Sequence, residues 1–271
     1  MQKRERNMKR ILSGLLIVTL LLGALPLCAA AETEEPGDTL PEITDEMLDK
    51  GYLDDWFNDA VLVGDSLTAG LAGYVSEERY EKHPCLGGMQ LAYASALTLK
   101  KAYESELHKR NPEIKFRKTY MTVSDIIKDT GAKKAFILLG VSDVRWYSAE
   151  ELCQVYGEFL AAIQSAHPET MLIVISITPM LKKYAATVNV TAEQSIEANR
   201  LLKQFCEENG YYYLELAESL RGEDNFLIYE YSASDYRFHL NKQGKMIWIR
   251  LMRAFVRDLY NQGLYTPGQG E

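Results

Sequence analysis

Histidine is scarce in this chain, with four in 271 residues, and none stands at a zinc-site spacing from a cysteine. Cysteine is equally rare, also four, and Cys28 falls in the N-terminal leader. The remaining Cys85, Cys153 and Cys206 are odd in number and far apart. That excludes a disulfide framework and leaves buried free thiols as the expectation. Positive charge is in deficit: 30 Lys and Arg face 38 Asp and Glu, for a net charge of −8. A chain so acidic is unsuited to nucleic acid or to anionic membrane surfaces. No Gly-x-x-x-x-Gly-Lys-[Ser/Thr] run occurs, and no Gly-x-Gly-x-x-Gly follows a strand, which removes the common nucleotide-binding folds. The apolar run Ile11–Leu25 is too short for a comfortable membrane span.

What is present begins with an export signal. Lys3, Arg4, Arg6, Lys9 and Arg10 form a basic start, the apolar run follows, and Ala29-Ala30-Ala31 supplies small residues for cleavage before Glu32. Leu27 is too bulky for a lipobox ahead of Cys28. Cleavage after Ala31 leaves 240 of the 271 residues and takes the net charge from −8 to −12, because the leader holds five basic residues and one Glu. The expected organisation is a signal peptide over 1–31, a flexible acidic lead-in over 32–46, one domain over 47–264, and a short tail over 265–271. The protein is expected outside the cell or at its envelope, and at the membrane only if the signal segment stays uncleaved.

Beyond Thr44, apolar runs alternate with helical patterns. Ala60–Val63, Ala135–Leu139, Met171–Ile177 and the shorter Tyr211–Leu216 read as strands buried on both faces. Ser148 with Glu151, and Thr191 with Gln194, have capping-box spacing and open two helices, over 148–166 and 191–209. A last helix over 241–260 places Ile247, Leu251, Ala254 and Leu259 on one face. Strand–helix alternation predicts a three-layer α/β/α sandwich around a mostly parallel, flavodoxin-like sheet. In such sheets ligands bind beyond the carboxyl ends of the strands. Ser66, Ser142 and Thr178 each follow a strand and so share that rim.

Ser66 stands in Val63-Gly64-Asp65-Ser66-Leu67-Thr68, where a buried strand turns into a helix. A serine hydroxyl needs a base before it attacks anything. His83 precedes Pro84 in a loop, His108 lies in a charged stretch, and His167 precedes Pro168 at a helix end. His239 alone sits in a strand-to-helix loop with a close preceding carboxylate, Asp235. Asp65 reads as a loop-tying side chain rather than a metal ligand.

These residues resemble the first and last blocks of the GDSL, or SGNH, hydrolases, over nearly all of Val61–Tyr260. The resemblance implies Ser66 as nucleophile, His239 as base and a preceding Asp as third member. It also implies an oxyanion hole built from the Ser66 amide, a glycine amide and an asparagine side chain. Gly88, in Leu86-Gly87-Gly88-Met89, is the expected glycine. The sequence departs from the family pattern twice. Ser142 of Gly140-Val141-Ser142-Asp143 stands where the family has asparagine, and a hydroxyl reaches less far. Asp235 lies four residues before His239, where the family spacing is three and Tyr236 stands, so the alternatives are Asp235 reaching the imidazole over one extra residue or a Ser66–His239 dyad oriented by a backbone carbonyl. Asp143 is expected to tie its loop together, and Trp146 and Tyr147 to lie beside the groove.

The resemblance implies a secreted serine esterase acting on an acyl ester, acetyl foremost, of a carbohydrate or cell-envelope polymer, with a lipid or other small-molecule carboxylester as the runner-up substrate. It calls for no cofactor and no metal. Two other functions remain at this point: a degenerate domain that binds a glycan or a protein partner without hydrolysis, and an acyltransferase using the same serine.

Overall fold

The computed structural model describes residues 41–83 and 85–267. The signal segment, the lead-in up to Leu40 and the last four residues of the tail lie outside the described residues.

The chain opens with α1 (Asp45–Asp49), capped by Thr44, whose hydroxyl accepts from the Met47 amide. Residues 41–46, the end of the expected lead-in, pack on the domain: Ile43 is buried and Tyr260 Oη donates to the Pro41 carbonyl at 2.9 Å. Next come β1 (Ala60–Gly64), α2 (Ser66–Tyr80), β2 (Gln90–Tyr93) and α3 (Leu99–His108). A hairpin of β3 (Ile114–Phe116) and β4 (Thr119–Met121) leads into α4 (Val123–Thr130). Then follow β5 (Lys134–Leu138), α5 (Ala149–Ala166), β6 (Met171–Ile175), α6 (Lys182–Thr187), α7 (Ala192–Asn209), β7 (Tyr212–Leu214), α8 (Ala217–Leu220) and α9 (Lys242–Asn261).

The central sheet has the order β2-β1-β5-β6-β7, with every pairing parallel. This is the flavodoxin-like order, with its switch point between β1 and β5. All five residues of β1 are buried, as a central strand covered on both faces requires. Helices α3, α5 and α7 pack together on one side, and α1, α2 and α9 on the other. Phe136 of β5, Phe255 of α9 and Trp56 meet edge-to-face in the second of these layers. Arg253 of α9 forms a buried two-point ion pair with Asp54, at 2.7 Å for each bond.

Both anticipated capping boxes form, at Ser148 with Glu151 and at Thr191 with Gln194. One expectation needs correction, and two elements went unread in the sequence. The buried stripe of α9 is Trp248, Met252, Val256 and Leu259, flanked by Ile249 and Tyr260. Ile247, Leu251 and Ala254 sit half-buried at its edge, because the largest ring, Trp248, takes the centre. Strand β2 was not anticipated, since only Ala92 of its four residues is fully buried and its apolar signal is faint. The β3–β4 hairpin was also missed. Its turn residues Arg117 and Lys118 both have positive φ, 45° and 73°, with none of the usual Asn or Gly to mark them.

Candidate active site

The site is built where β1 ends. Gly64 is obligatory there: a Cβ on it would lie 2.1 Å from Thr68 Oγ1 and 2.7 Å from the Leu138 carbonyl. That close approach lets β1 turn into α2 beside the end of β5. Asp65 is the N-cap of α2, its Oδ1 accepting from the Leu67 amide at 2.9 Å. Ser66 is the first residue of the helix. Its backbone amide is one of the first-turn donors that no helical carbonyl can satisfy. Its side chain stands half-buried at the rim.

Asp65 is held in an unfavourable place for a carboxylate. Burial, assisted by the nearby Asp143 carboxylate and opposed by the Leu67 amide, pushes its pKa up to about 7. Asp143 is also raised, by burial. It accepts from the Leu99 amide at 2.9 Å and the Lys100 amide at 3.3 Å, so it joins the loop after β5 to the start of α3.

His239 arrives from a loop between β7 and α9. That loop is pinned at several points. The Leu181 amide donates to the Arg237 carbonyl at 2.7 Å, and the Ala233 amide to the His239 carbonyl at 2.8 Å. The Phe238 ring packs against both His239, at 4.6 Å, and Tyr184, at 5.8 Å. Asn241 caps α9 and donates to the Glu230 carbonyl. His239 Nε2 lies 2.7 Å from Ser66 Oγ, across 173 residues of sequence. On the other side of the ring, Nδ1 is hydrogen-bonded to Asp235 Oδ2. The spare residue between Asp235 and His239 is absorbed at Tyr236, whose φ of 53° coils the backbone and brings the carboxylate back to the imidazole. The structure therefore brings Ser66, His239 and Asp235 into one continuous hydrogen-bonded chain.

The loop after β5 lies on the same rim, because Gly64 and Leu138 are register partners. Gly140, with φ of 108°, makes the turn, and a Cβ there would press on Ile177 at 2.9 Å. Tyr156 of α5 holds the strand end, its hydroxyl donating to the Leu139 carbonyl at 3.0 Å and accepting from the Leu139 amide at 3.1 Å. Ser142 follows, half-buried, and its hydroxyl has no hydrogen-bond partner among the described residues. Asn199 is buried and binds both polar groups of the Ile177 backbone, at 2.8 and 2.9 Å, fixing the loop after β6. Trp146 is largely exposed, and Tyr147 packs against the core.

Gly88 is not part of this cluster, which corrects the expectation for it. Strand β2 runs parallel to β1 with Val61 opposite Gln90 and Gly64 opposite Tyr93. Gly88 therefore precedes β2 at the amino end of the sheet, on the rim opposite Ser66. Its amide donates to Asn58 Oδ1 at 2.7 Å and is not free for an oxyanion. With β2 unrecognised, nothing in the sequence told the two rims apart. The backbone that does border β1 on this side is the loop after β2, where the Ala94 amide donates to the Gly64 carbonyl at 3.2 Å. The signal for that loop was Thr98, the N-cap of α3, which marks a strand-to-helix turn just before it.

Among the described residues no group of three or more His, Cys, Asp and Glu side chains is placed to hold a metal ion. None of their helices is long and apolar enough to cross a membrane.

No curated protein matches the chain in sequence. Solved structures do match in fold. A GDSL-like lipase from Bacteroides thetaiotaomicron superposes with a TM-score of 0.54 at 14% identity, covering 78% of this chain and 91% of that one. A lipase/acylhydrolase from Enterococcus faecalis gives 0.53 at 14% identity, over 78% and 99%. A variant of an acetyl-xylooligosaccharide esterase from Geobacillus gives 0.50 at 15% identity, over 78% and 96%. The sequence itself matches the GDSL-like lipase/acylhydrolase family across residues 62–247, a stretch that contains Ser66, Asp235 and His239 alike. On the strength of that match, over more than half of its length, this chain belongs to the GDSL-like lipase/acylhydrolase family.

Proposed function

We propose that this protein is a serine esterase that removes acyl groups, acetyl foremost, from carbohydrate outside the cell or at its envelope. The observation that carries the reading is the 2.7 Å contact between Ser66 Oγ and His239 Nε2, with Asp235 on the far nitrogen of the ring. In that arrangement neutral His239 takes the hydroxyl proton as Ser66 Oγ attacks the ester carbonyl. Asp235 keeps the proton on Nδ1, so Nε2 is the basic nitrogen, and it stabilises the imidazolium that forms. The tetrahedral oxyanion lies against the Ser66 amide at the start of α2, and the Ser142 hydroxyl, on the same rim, is the proposed side-chain donor. His239 then protonates the leaving alcohol. A water, activated by the same imidazole, releases the acid from Ser66.

The export signal expected from the sequence and the acidic composition support a substrate outside the cell. The Geobacillus relative is an acetyl-xylooligosaccharide esterase on the same fold, so the scaffold admits that class. The competing idea, a glycan-binding relic, draws on the short reach of Ser142; the assembled Ser66–His239–Asp235 chain argues against it. The test is labelling with a fluorophosphonate probe followed by mass mapping, alongside acetate release from acetylated oligosaccharides. The expected result is modification at Ser66 in the parent protein, none in Ser66→Ala, and acetate release that is lost with it. Absence of both labelling and acetate release in the parent would overturn the proposal.

A further inference from the structure

The loop that carries Asp235 and His239 also lends Tyr236 to the lining of a trough of about 660 Å³ that the reaction as described does not use. Tyr229 and Tyr236 form its wall. Their rings are near-parallel, 8° apart with centroids 5.8 Å from each other, yet they remain 62% and 56% exposed. Phe226 and Ile228 lie in the trough, and Lys182, Lys183, Asp224 and Glu230 line its edge. Lys182 reaches over the Phe226 ring, 5.6 Å from its centroid, and lies 3.6 Å from Asp224, so a paired charge borders the aromatic surface.

Tyr236 is the informative residue. Its backbone must take φ of 53° to bring Asp235 to His239, and glycine or asparagine adopts that conformation with less strain. The backbone therefore does not account for a tyrosine here. The protein core does not account for it either, since the ring is mostly in solvent and packs chiefly on another exposed ring. Strained residues bearing large exposed side chains beside a site point to a ligand contact.

The chemistry of the trough selects among ligands. An acyl chain is best held in an enclosed apolar slot. This trough is open, its wall is aromatic faces, and its edge carries four ionic side chains. That combination fits a pyranose ring, which has an apolar C–H face for a flat aromatic surface and hydroxyls at its perimeter for charged donors and acceptors. We infer that the Tyr229–Tyr236 wall is a sugar subsite of the proposed esterase, stacking a pyranose unit of the substrate so that an acyl group on the same chain of sugars reaches Ser66. The inference rests on the esterase reading, and it adds the residues that make the enzyme select carbohydrate esters.

Binding is measured first, in the Ser66→Ala protein, so that no turnover is needed. The probes are partially acetylated xylotetraose and O-acetylated chitotetraose, titrated calorimetrically. At least one is expected to bind. Adding Tyr229→Ala or Tyr236→Gly should weaken that binding about tenfold, the size of one aromatic anchor, and Tyr229→Phe should restore it. The glycine variant keeps the left-handed backbone that the Asp235–His239 contact needs. Turnover is measured second, with Ser66 intact. The ratio of kcat/KM on the bound oligosaccharide to kcat/KM on p-nitrophenyl acetate should fall about tenfold in Tyr229→Ala, chiefly through KM. Failure of both probes to bind, or an unchanged Kd in both tyrosine variants, overturns the subsite. So does a selective loss on p-nitrophenyl octanoate, which would assign the trough to an acyl chain. Tyrosine-dependent binding in a parent protein that hydrolyses no ester would uphold the subsite and reject the esterase.

Discussion

Asp65 gives a quantitative test of how the site is built. Its carboxyl is buried at the head of α2 with a pKa of about 7, against about 3.9 for an aspartate in an unfolded chain. The folded state therefore holds a proton that the unfolded state has already released between those two values, and stability falls as pH rises through that window. About three pKa units at 1.36 kcal/mol each give a total cost of about 4 kcal/mol, complete above pH 7. Roughly a third is already present at pH 5, which leaves about 3 kcal/mol to appear between pH 5 and pH 8. Asp65→Asn removes the titration and keeps a side-chain oxygen to cap the Leu67 amide. Denaturant unfolding at pH 5 and pH 8 measures the effect. The parent should lose about 3 kcal/mol more than the variant over that interval, and the variant should be the more stable protein at pH 8. Other groups titrate in both proteins and cancel in the comparison. Identical pH slopes would refute the argument that burial beside Asp143 holds this carboxyl protonated.

Ser142→Ala should lower kcat on p-nitrophenyl acetate more than it raises KM, because a bond to the oxyanion strengthens as charge develops; Ser142→Asn should raise kcat, by up to about 100-fold. Gly88→Ala should leave kcat/KM within about twofold, since its amide serves Asn58 on the opposite rim; a loss nearer the roughly 100-fold of a missing oxyanion donor would reinstate Gly88 in the site. Gly64→Ala should destabilise the fold by more than about 2 kcal/mol in denaturant unfolding, because its Cβ would overlap Thr68 Oγ1 and press on the Leu138 backbone. Arg253→Met should cost about 3–5 kcal/mol in the same assay by leaving Asp54 buried and unpaired.

Local chemistry made much of this protein legible from sequence alone. β1, β6 and β5 beyond its first residue Lys134 are unbroken apolar runs, because strands covered on both faces have no polar side to show. The starts of α5 and α7 could be read because a capping box is a bond between residues three apart. Ser66 and His239 were legible for a similar reason: each stands in a strand-to-helix loop, and the other three histidines have plainer surroundings. What sequence left open was whatever depended on neighbours distant in the chain. Whether Asp235 reaches His239 over an extra residue was decided by the left-handed turn at Tyr236 and by Leu181 bonding the Arg237 carbonyl. The rim to which Gly88 belongs was decided by the register of β2 on β1, since a glycine pair reads the same at either end of a strand. The raised pKa of Asp65 came from its burial, with the charge of Asp143, 78 positions away, adding to it once the chain had folded. The tyrosine pair needed a short helical turn at Tyr229 to meet the Asp235–His239 loop at Tyr236. Sequence carries the groups and their local turns, whereas desolvation and through-space contact exist only once the chain has closed on itself.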